Sequence, residues 1–197
     1  MVRKYGSLTY ITDAEKTIRD SLKLKDMAML DIGVGAGRTT AHFAPLVKEY
    51  LGIDYSGPMI EECRRMFPNY RFWVMDARNM LQIPSDHFDF ILFSFNGIDQ
   101  CGFDDRWRIL SEIRRVGKVG GTVAFSSHNM DKLPKWKMYL NRIKNLHYAM
   151  VNDGTHGWKM KQFYINPLAQ IRMLQDLGFK KIEIIDNAKE TYYRCRI

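Results

Sequence analysis

The chain has 197 residues, 46% of them hydrophobic and 26% charged, with a formal net charge of +8. This composition excludes a disordered or fibrous chain, and the length suits one domain spanning 1–197 around a substantial core. No stretch is long and apolar enough to span a bilayer or to read as a signal peptide. The three cysteines, Cys63, Cys101 and Cys195, lie far apart without a C-x-x-C pair, so the expectation is a reducing cytoplasm, no disulfide framework and no metal site.

Apolar runs alternate with amphipathic segments along most of the chain, which predicts a parallel sheet with helices on both faces. Strands are predicted over Met27–Ile32, Tyr50–Ile53, Arg71–Met75, Phe88–Phe93 and Gly121–Ser126. Helices are predicted over Arg38–Leu46, Pro58–Met66 and Asp104–Val116, the last opened by the acids a helix N-terminus favours. Gly117 to Gly121 then reads as a glycine-rich helix exit. Residues 130–165 are basic and aromatic and break the alternation. Asn166-Pro167 opens a further helix ending near Gly178, and Phe179–Ile185 and Thr191–Cys195 close the chain as two strands. The short turn over 186–190 makes those two antiparallel.

The most informative stretch joins the first strand to the first helix. Met29-Leu30-Asp31-Ile32 runs into Gly33-Val34-Gly35-Ala36-Gly37-Arg38, an Asp-x-Gly-x-Gly-x-Gly pattern. Glycines there accept positive φ and let a ligand approach bare backbone. The dinucleotide fingerprint Gly-x-Gly-x-x-Gly would place its third glycine at 38, where Arg38 stands, so the loop suits a nucleotide-like ligand without a pyrophosphate on the helix N-terminus. The pattern resembles motif I of the class I S-adenosylmethionine-dependent methyltransferases, and the resemblance extends over most of the chain. It implies a doubly wound, Rossmann-like α/β fold with a mostly parallel seven-stranded sheet ending in an antiparallel hairpin. It also implies S-adenosylmethionine as cofactor, with Gly33, Gly35 and Gly37 under its methionine part and Asp31 helping to hold the amino group.

Ligands of such sheets gather at the carboxyl ends of the strands. The second strand ends in Asp54, where a carboxylate accepts from two ribose hydroxyls, a position that suits NAD proteins equally well. Tyr55 and Met59 follow, and by resemblance lean on the adenine. Asp76 and Ala77 close the third strand; the resemblance assigns them the adenine edge, while Asp76 also reads as a turn cap. Ser94-Phe95-Asn96-Gly97 follows the fourth strand and resembles motif IV, which faces the methyl group and the acceptor. Asp89 reads as a cap at that strand's entrance.

For the chemistry, the expected catalytic set is His128, Asn96 and Asp99. His128 ends the fifth strand and is the leading base for a hydroxyl acceptor, although the position also suits a structural cap. Asn96 and Asp99 are expected to orient the acceptor. His156 reads as a loop residue able to close over the site, and His147, in helical surroundings, as structural. The charge is uneven: +1 over residues 1–127 and +7 over 128–197. Residues 130–161 hold Lys132, Lys135, Lys137, Arg142, Lys144, Lys159 and Lys161 against Asp131 and Asp153. This points to a small anionic acceptor such as a sugar phosphate or nucleotide-linked sugar, with the aromatics of the same stretch stacking on a ring or lining a cap helix. Two alternatives stay open: a nucleic-acid acceptor, for basic residues interleaved with aromatics, and a non-catalytic S-adenosylmethionine-binding protein.

Overall fold

The computed structural model describes residues 10–141, 143–145, 147–153, 160–186 and 191–197. β1 (Ala28–Ile32), β2 (Glu49–Asp54), β3 (Arg71–Val74), β4 (Phe88–Phe93) and β5 (Gly117–Asn129) run parallel in the order β3-β2-β1-β4-β5. At the end of the chain β9 (Thr191–Arg196) lies antiparallel against β5, and β8 (Lys180–Asp186) pairs antiparallel with β9. The mostly parallel sheet and its antiparallel close are those predicted; residues 187–190 of the predicted turn lie outside the described residues. Every position of β1 is buried, as expected of a parallel strand covered on both faces.

Successive residues point to opposite faces of the sheet. Met29, Phe90 and Leu92 pack under α1 (Asp13–Asp20), α2 (Thr40–Phe43) and α3 (Gly57–Met66). Leu30, Ile91 and Val123 pack under α4 (Phe103–Val116) and, farther along the chain, the helix Pro167–Asp176. Among the described residues no helix is long and apolar enough to cross a membrane.

Four predictions need correction. Among the described residues the sheet has nine strands, the seven expected and two more. The two extra ones, β6 (Tyr148–Asp153) and β7 (Met160–Ile165), form an antiparallel hairpin in the segment expected to be a cap, and β7 pairs with the end of β5 at His128 and Asn129. Their signal is a period of two, with Phe163 and Ile165 buried in the main core and Tyr164 packed on the other side with Met130 and Val151. A short α5 (Lys135–Leu140) precedes them, and the predicted helix after Asn166 is α6 (Pro167–Asp176). The helix predicted over 38–46 shrinks to α2 and one 3-10 turn, because left-handed glycines delay its start and Pro45 opposes its continuation. β5 begins at Gly117 rather than Gly121, pairing first with Phe88 and shifting register before Thr122. His147 stands in a bend before β6, outside any helix. One element was absent from the sequence reading: α1, closed by a reciprocal cap in which Thr12 Oγ1 accepts from the Glu15 N–H while Glu15 Oε2 accepts from the Thr12 N–H at 2.7 Å.

Candidate active site

The tips of β1, β2, β3 and β4 surround the glycine loop. Gly33, Gly35 and Gly37 all take positive φ. A Cβ on Gly33 would meet the Phe93 ring at 2.8 Å, and one on Gly37 the Phe67 ring at 2.5 Å, whereas Gly35 faces open space. Two positions are thus glycine for packing as well as for conformation, and the third leaves backbone bare towards the cleft. Asp54 ties the loop to the tip of β2: its Oδ2 accepts the Gly35 N–H and its Oδ1 the Ser56 N–H, each at 2.9 Å. Tyr55 is 78% exposed beside it, with Met59 half-buried on the first turn of α3. Opposite, Phe95 is 45% exposed after β4. A fixed carboxylate, bare backbone and uncovered aromatic faces fit an adenosine-bearing cofactor, and nothing in the loop asks for a pyrophosphate.

Other predicted cofactor residues are engaged with protein. Asp31 is buried, and its Oδ2 accepts from Thr39 Oγ1 at 2.6 Å and Tyr50 Oη at 2.7 Å. The Asp76 carboxylate is gripped by Arg78 through Nε and Nη2 and also accepts the Arg78 N–H; the hydrogen bonds of Arg78 hold it below the usual carboxylate range. Ala77 is half-buried against the core. Ser94 turns its hydroxyl away from the cleft into a network that sequence reading missed. Glu15, fully buried on α1, pairs with Arg38 Nη2 at 2.5 Å and Nη1 at 2.8 Å, and also accepts from Ser94 and Tyr192 Oη. Burial works to raise the Glu15 carboxyl, but the hydrogen bonds and charge of Arg38 outweigh it and leave it below its usual value. The Arg38 guanidinium sits 4.9 Å from the centre of the Phe95 ring.

Asp31 behaves in the opposite way. Burial pushes its carboxyl up to about 6, against the pull of Thr39 and Tyr50. In the unfolded chain an aspartate releases its proton near 3.9, roughly two pH units lower. Unfolding therefore sheds this proton between those values. The stabilising contribution is full below about pH 4 and is lost as pH rises through about 6. Relative to Asp31→Asn, which has no proton to exchange, the parent protein is expected to lose on the order of 2–3 kcal/mol between about pH 4 and about pH 7. Thermal melts of both proteins across that range check it, and parallel curves would rule it out.

The predicted acceptor residues converge at the ends of β4 and β5. Phe95 and Asn96 both stand in the left-handed region, φ 57 and 55, a backbone cost of the sort concentrated at functional sites. Asp99, in the following 3-10 turn, has no exposed surface. It lies behind His128 rather than at the surface of the cleft, where an acceptor-orienting role had placed it. Its Oδ2 contacts His128 Nδ1 at 2.7 Å and accepts the His128 backbone N–H at 2.6 Å. The imidazole stands over the Tyr164 ring, and its Nε2 lies 3.4 Å from Asn96 Nδ2. Asn96 Oδ1 is buried and finds no partner among the described residues. An oriented imidazole with its second nitrogen free of strong partners, beside an unsatisfied amide, can take a proton from a hydroxyl group and position it.

The cap is less uniform than its composition. Lys132 pairs with Asp186 at 2.6 Å, while Lys135, Lys144 and Lys161 are exposed. Trp136 and Tyr139 are exposed on α5, whereas Tyr148 stacks between Phe103 and Phe163. Arg142, His156, Trp158 and Lys159 lie outside the described residues.

Residues 29–121 match the family model described as a methyltransferase domain. The chain is 26% identical over 166 residues to the malonyl-[acyl-carrier protein] O-methyltransferase of Salmonella typhimurium, covering 77% of this chain and 64% of that protein. It is 27% identical over 164 residues to the ubiquinone biosynthesis O-methyltransferase of Bradyrhizobium sp., covering 77% and 60%. It therefore spans less than two thirds of the length of these curated relatives. Its fold matches that of an S-adenosylmethionine-dependent methyltransferase from Methanosarcina mazei with a TM-score of 0.71, at 20% identity over 91% of this chain and 96% of that one. With the glycine loop, the Asp54 strand tip and the sheet order pointing the same way, residues 29–121 form a methyltransferase domain on the fold that S-adenosylmethionine-dependent methyltransferases share.

Proposed function

We propose that the chain transfers a methyl group to a hydroxyl oxygen of a small, anionic acceptor, as one domain over 1–197 in which residues 130–165 cover the acceptor. The Asp99–His128 pair carries this reading: a buried carboxylate 2.7 Å from Nδ1 leaves Nε2 as the atom that meets the acceptor. Both curated relatives named above are O-methyltransferases, which supports oxygen over nitrogen or carbon. S-adenosylmethionine, when bound, supplies a methyl group activated on a positively charged sulfur. The chain's work is then to orient, to exclude water and to move one proton. With S-adenosylmethionine as the proposed cofactor, Asp54 would take the ribose hydroxyls, Tyr55 and Met59 would flank the adenine, and the glycine loop would lie along the methionine part. Asn96 would orient the acceptor hydroxyl, and His128 Nε2 would accept its proton.

The anionic character rests on the exposed Lys135, Lys144 and Lys161 of the cap segment and on the charge excess of the second half. The three thiols are free, which suits a cytoplasmic setting. The first experiment is calorimetric titration with S-adenosylhomocysteine, with NADH as control, followed by a labelled methyl donor offered to sugar phosphates and their uncharged parents. Binding of S-adenosylhomocysteine alone, methylation of the phosphorylated set and an acceptor KM that rises steeply with salt are expected. Methylation of the uncharged sugars with no salt dependence would sink the anionic acceptor, and capture of NADH alone would sink the whole reading.

A further inference from the structure

Behind Asp99 lies an arginine with no exposed surface, which the steps above do not use. Arg106 stands in the first turn of α4 and spends all three guanidinium nitrogens on side chains. Nη1 donates to Asp99 Oδ1 at 2.7 Å, Nη2 to Ser127 Oγ at 2.8 Å, and Nε to Gln170 Oε1 at 2.8 Å. Ser127 passes its own proton to the same Asp99 Oδ1 at 2.7 Å. The guanidinium also lies 5.3 Å from the centre of the Phe163 ring. Asp99 is thus divided: Oδ1 receives Arg106 and Ser127, and Oδ2 is left to His128. Gln170, fully buried on α6, meets Arg106 with its carbonyl oxygen, while its Nε2 has no partner among the described residues. Burying an unmatched amide donor is unfavourable. An apolar side chain would avoid that penalty but would strip Arg106 Nε of its acceptor.

We propose that Arg106, steadied by Gln170, is a positioning residue that fixes the rotation of the Asp99 carboxylate and balances its charge, so that His128 carries its proton on Nδ1 and presents Nε2 to the acceptor. This rests on His128 being the base, but it is tested without methyl transfer. A carboxylate with both Oδ1 donors in place cannot turn, and its remaining oxygen accepts the Nδ1 proton. Without the guanidinium, Asp99 becomes an unbalanced buried charge, and the Asp99–His128 pair retains a proton to higher pH. That proton resides on the imidazole, giving the cation, or on Asp99, which then donates to Nδ1 and drives the neutral ring to the Nε2–H form. Among the described residues, the ionisable groups facing the pair from the packed elements are Arg106 on α4, Tyr164 on β7 and Tyr193 on β9, and Arg106 is the cation among them.

Long-range proton–nitrogen NMR of 15N-labelled protein reads both the tautomer and the titration of each histidine, with His128 assigned by its loss in His128→Gln. The parent protein is expected to hold neutral His128 as the Nδ1–H form. In Arg106→Met the ring becomes cationic, with a midpoint raised by about one pH unit or more, or its tautomer inverts. Arg106→Lys, which keeps the charge and loses the fork, is expected to recover most of the midpoint. S-adenosylhomocysteine titration verifies that each variant is folded. If Arg106→Met does not fold, Ser127→Ala must move the pair the same way by a smaller amount. An unchanged midpoint and tautomer in a folded Arg106→Met or Ser127→Ala protein overturns the proposal and leaves the His128 chemistry standing. A fully active His128→Ala enzyme, together with a shifted tautomer in Arg106→Met, overturns the His128 chemistry and leaves the positioning of Asp99 by Arg106 standing.

Discussion

His128→Ala is expected to lower turnover by about 10²- to 10⁴-fold while leaving S-adenosylhomocysteine affinity within roughly twofold, the range a positioned general base supplies. The ring touches none of the proposed cofactor contacts at Asp54, Tyr55 or the glycine loop, so cofactor affinity has no reason to follow. Asp99→Asn should approach the same loss by a different route. The Oδ1 position faces two donors, Arg106 Nη1 and the Ser127 hydroxyl, so the amide oxygen must lie there. Its NH₂ then faces His128 Nδ1 and the His128 N–H, both placed to meet an acceptor. The imidazole answers by carrying its proton on Nε2, where it can no longer accept one. Rapid-quench assays with labelled methyl donor, set beside calorimetry, separate the two effects. Loss of cofactor affinity in parallel with turnover would mean that His128 holds the fold of the site. A fall of less than about threefold would mean that the acceptor arrives already deprotonated, as a carboxylate does.

What could be read from the chain beforehand follows a physical boundary. β1, β4 and the glycine loop were legible because their information is local: an unbroken apolar run, an acid and glycines at fixed spacing. The same holds for Asp54 at the tip of β2. The β6–β7 hairpin was missed because basic residues and aromatics mask its period of two, and its buried face is settled by the end of β5 and by Phe103. α1 carried a readable signature, Thr12 followed three residues later by Glu15, yet the partner that makes Glu15 important is Arg38, brought to it by tertiary structure alone. Arg106 was illegible for the same reason. In a helix that also carries Arg108, Arg114 and Arg115 it looks like one more surface charge, and only the meeting of Asp99, Ser127 and Gln170 lets it be buried. Asp31 shows the reverse case. Its place in the motif points to the cofactor, whereas Thr39 and Tyr50 draw the carboxylate into the wall.

The Glu15–Arg38 pair should govern stability more than any exposed ion pair in the molecule. Glu15→Ala is expected to cost about 3–5 kcal/mol, because it leaves a buried guanidinium without its counter-charge. In a chain of this size that is a fall in Tm of roughly 6–20 °C. Arg38, Ser94 and Tyr192 all lose an acceptor at once, and Thr12 loses half of its reciprocal cap. Removing both charges together, as in Glu15→Leu with Arg38→Met, should recover most of the loss, since two apolar chains of similar volume need no partner. If the double variant is no more stable than Glu15→Ala alone, the network is held by its hydroxyls rather than by its charges. Cofactor binding should follow the same order. Arg38 is the residue directly after Gly37, and its guanidinium is anchored on one side by Glu15 and packed on the other by Phe95. Freed of Glu15, it loosens the loop at the point where the backbone must stay bare and fixed, so S-adenosylhomocysteine should bind more weakly to Glu15→Ala than to the double variant. A buried charge pair would then do two jobs: it ties the N-terminal helix to the sheet, and it holds the glycine loop in the shape that admits the cofactor.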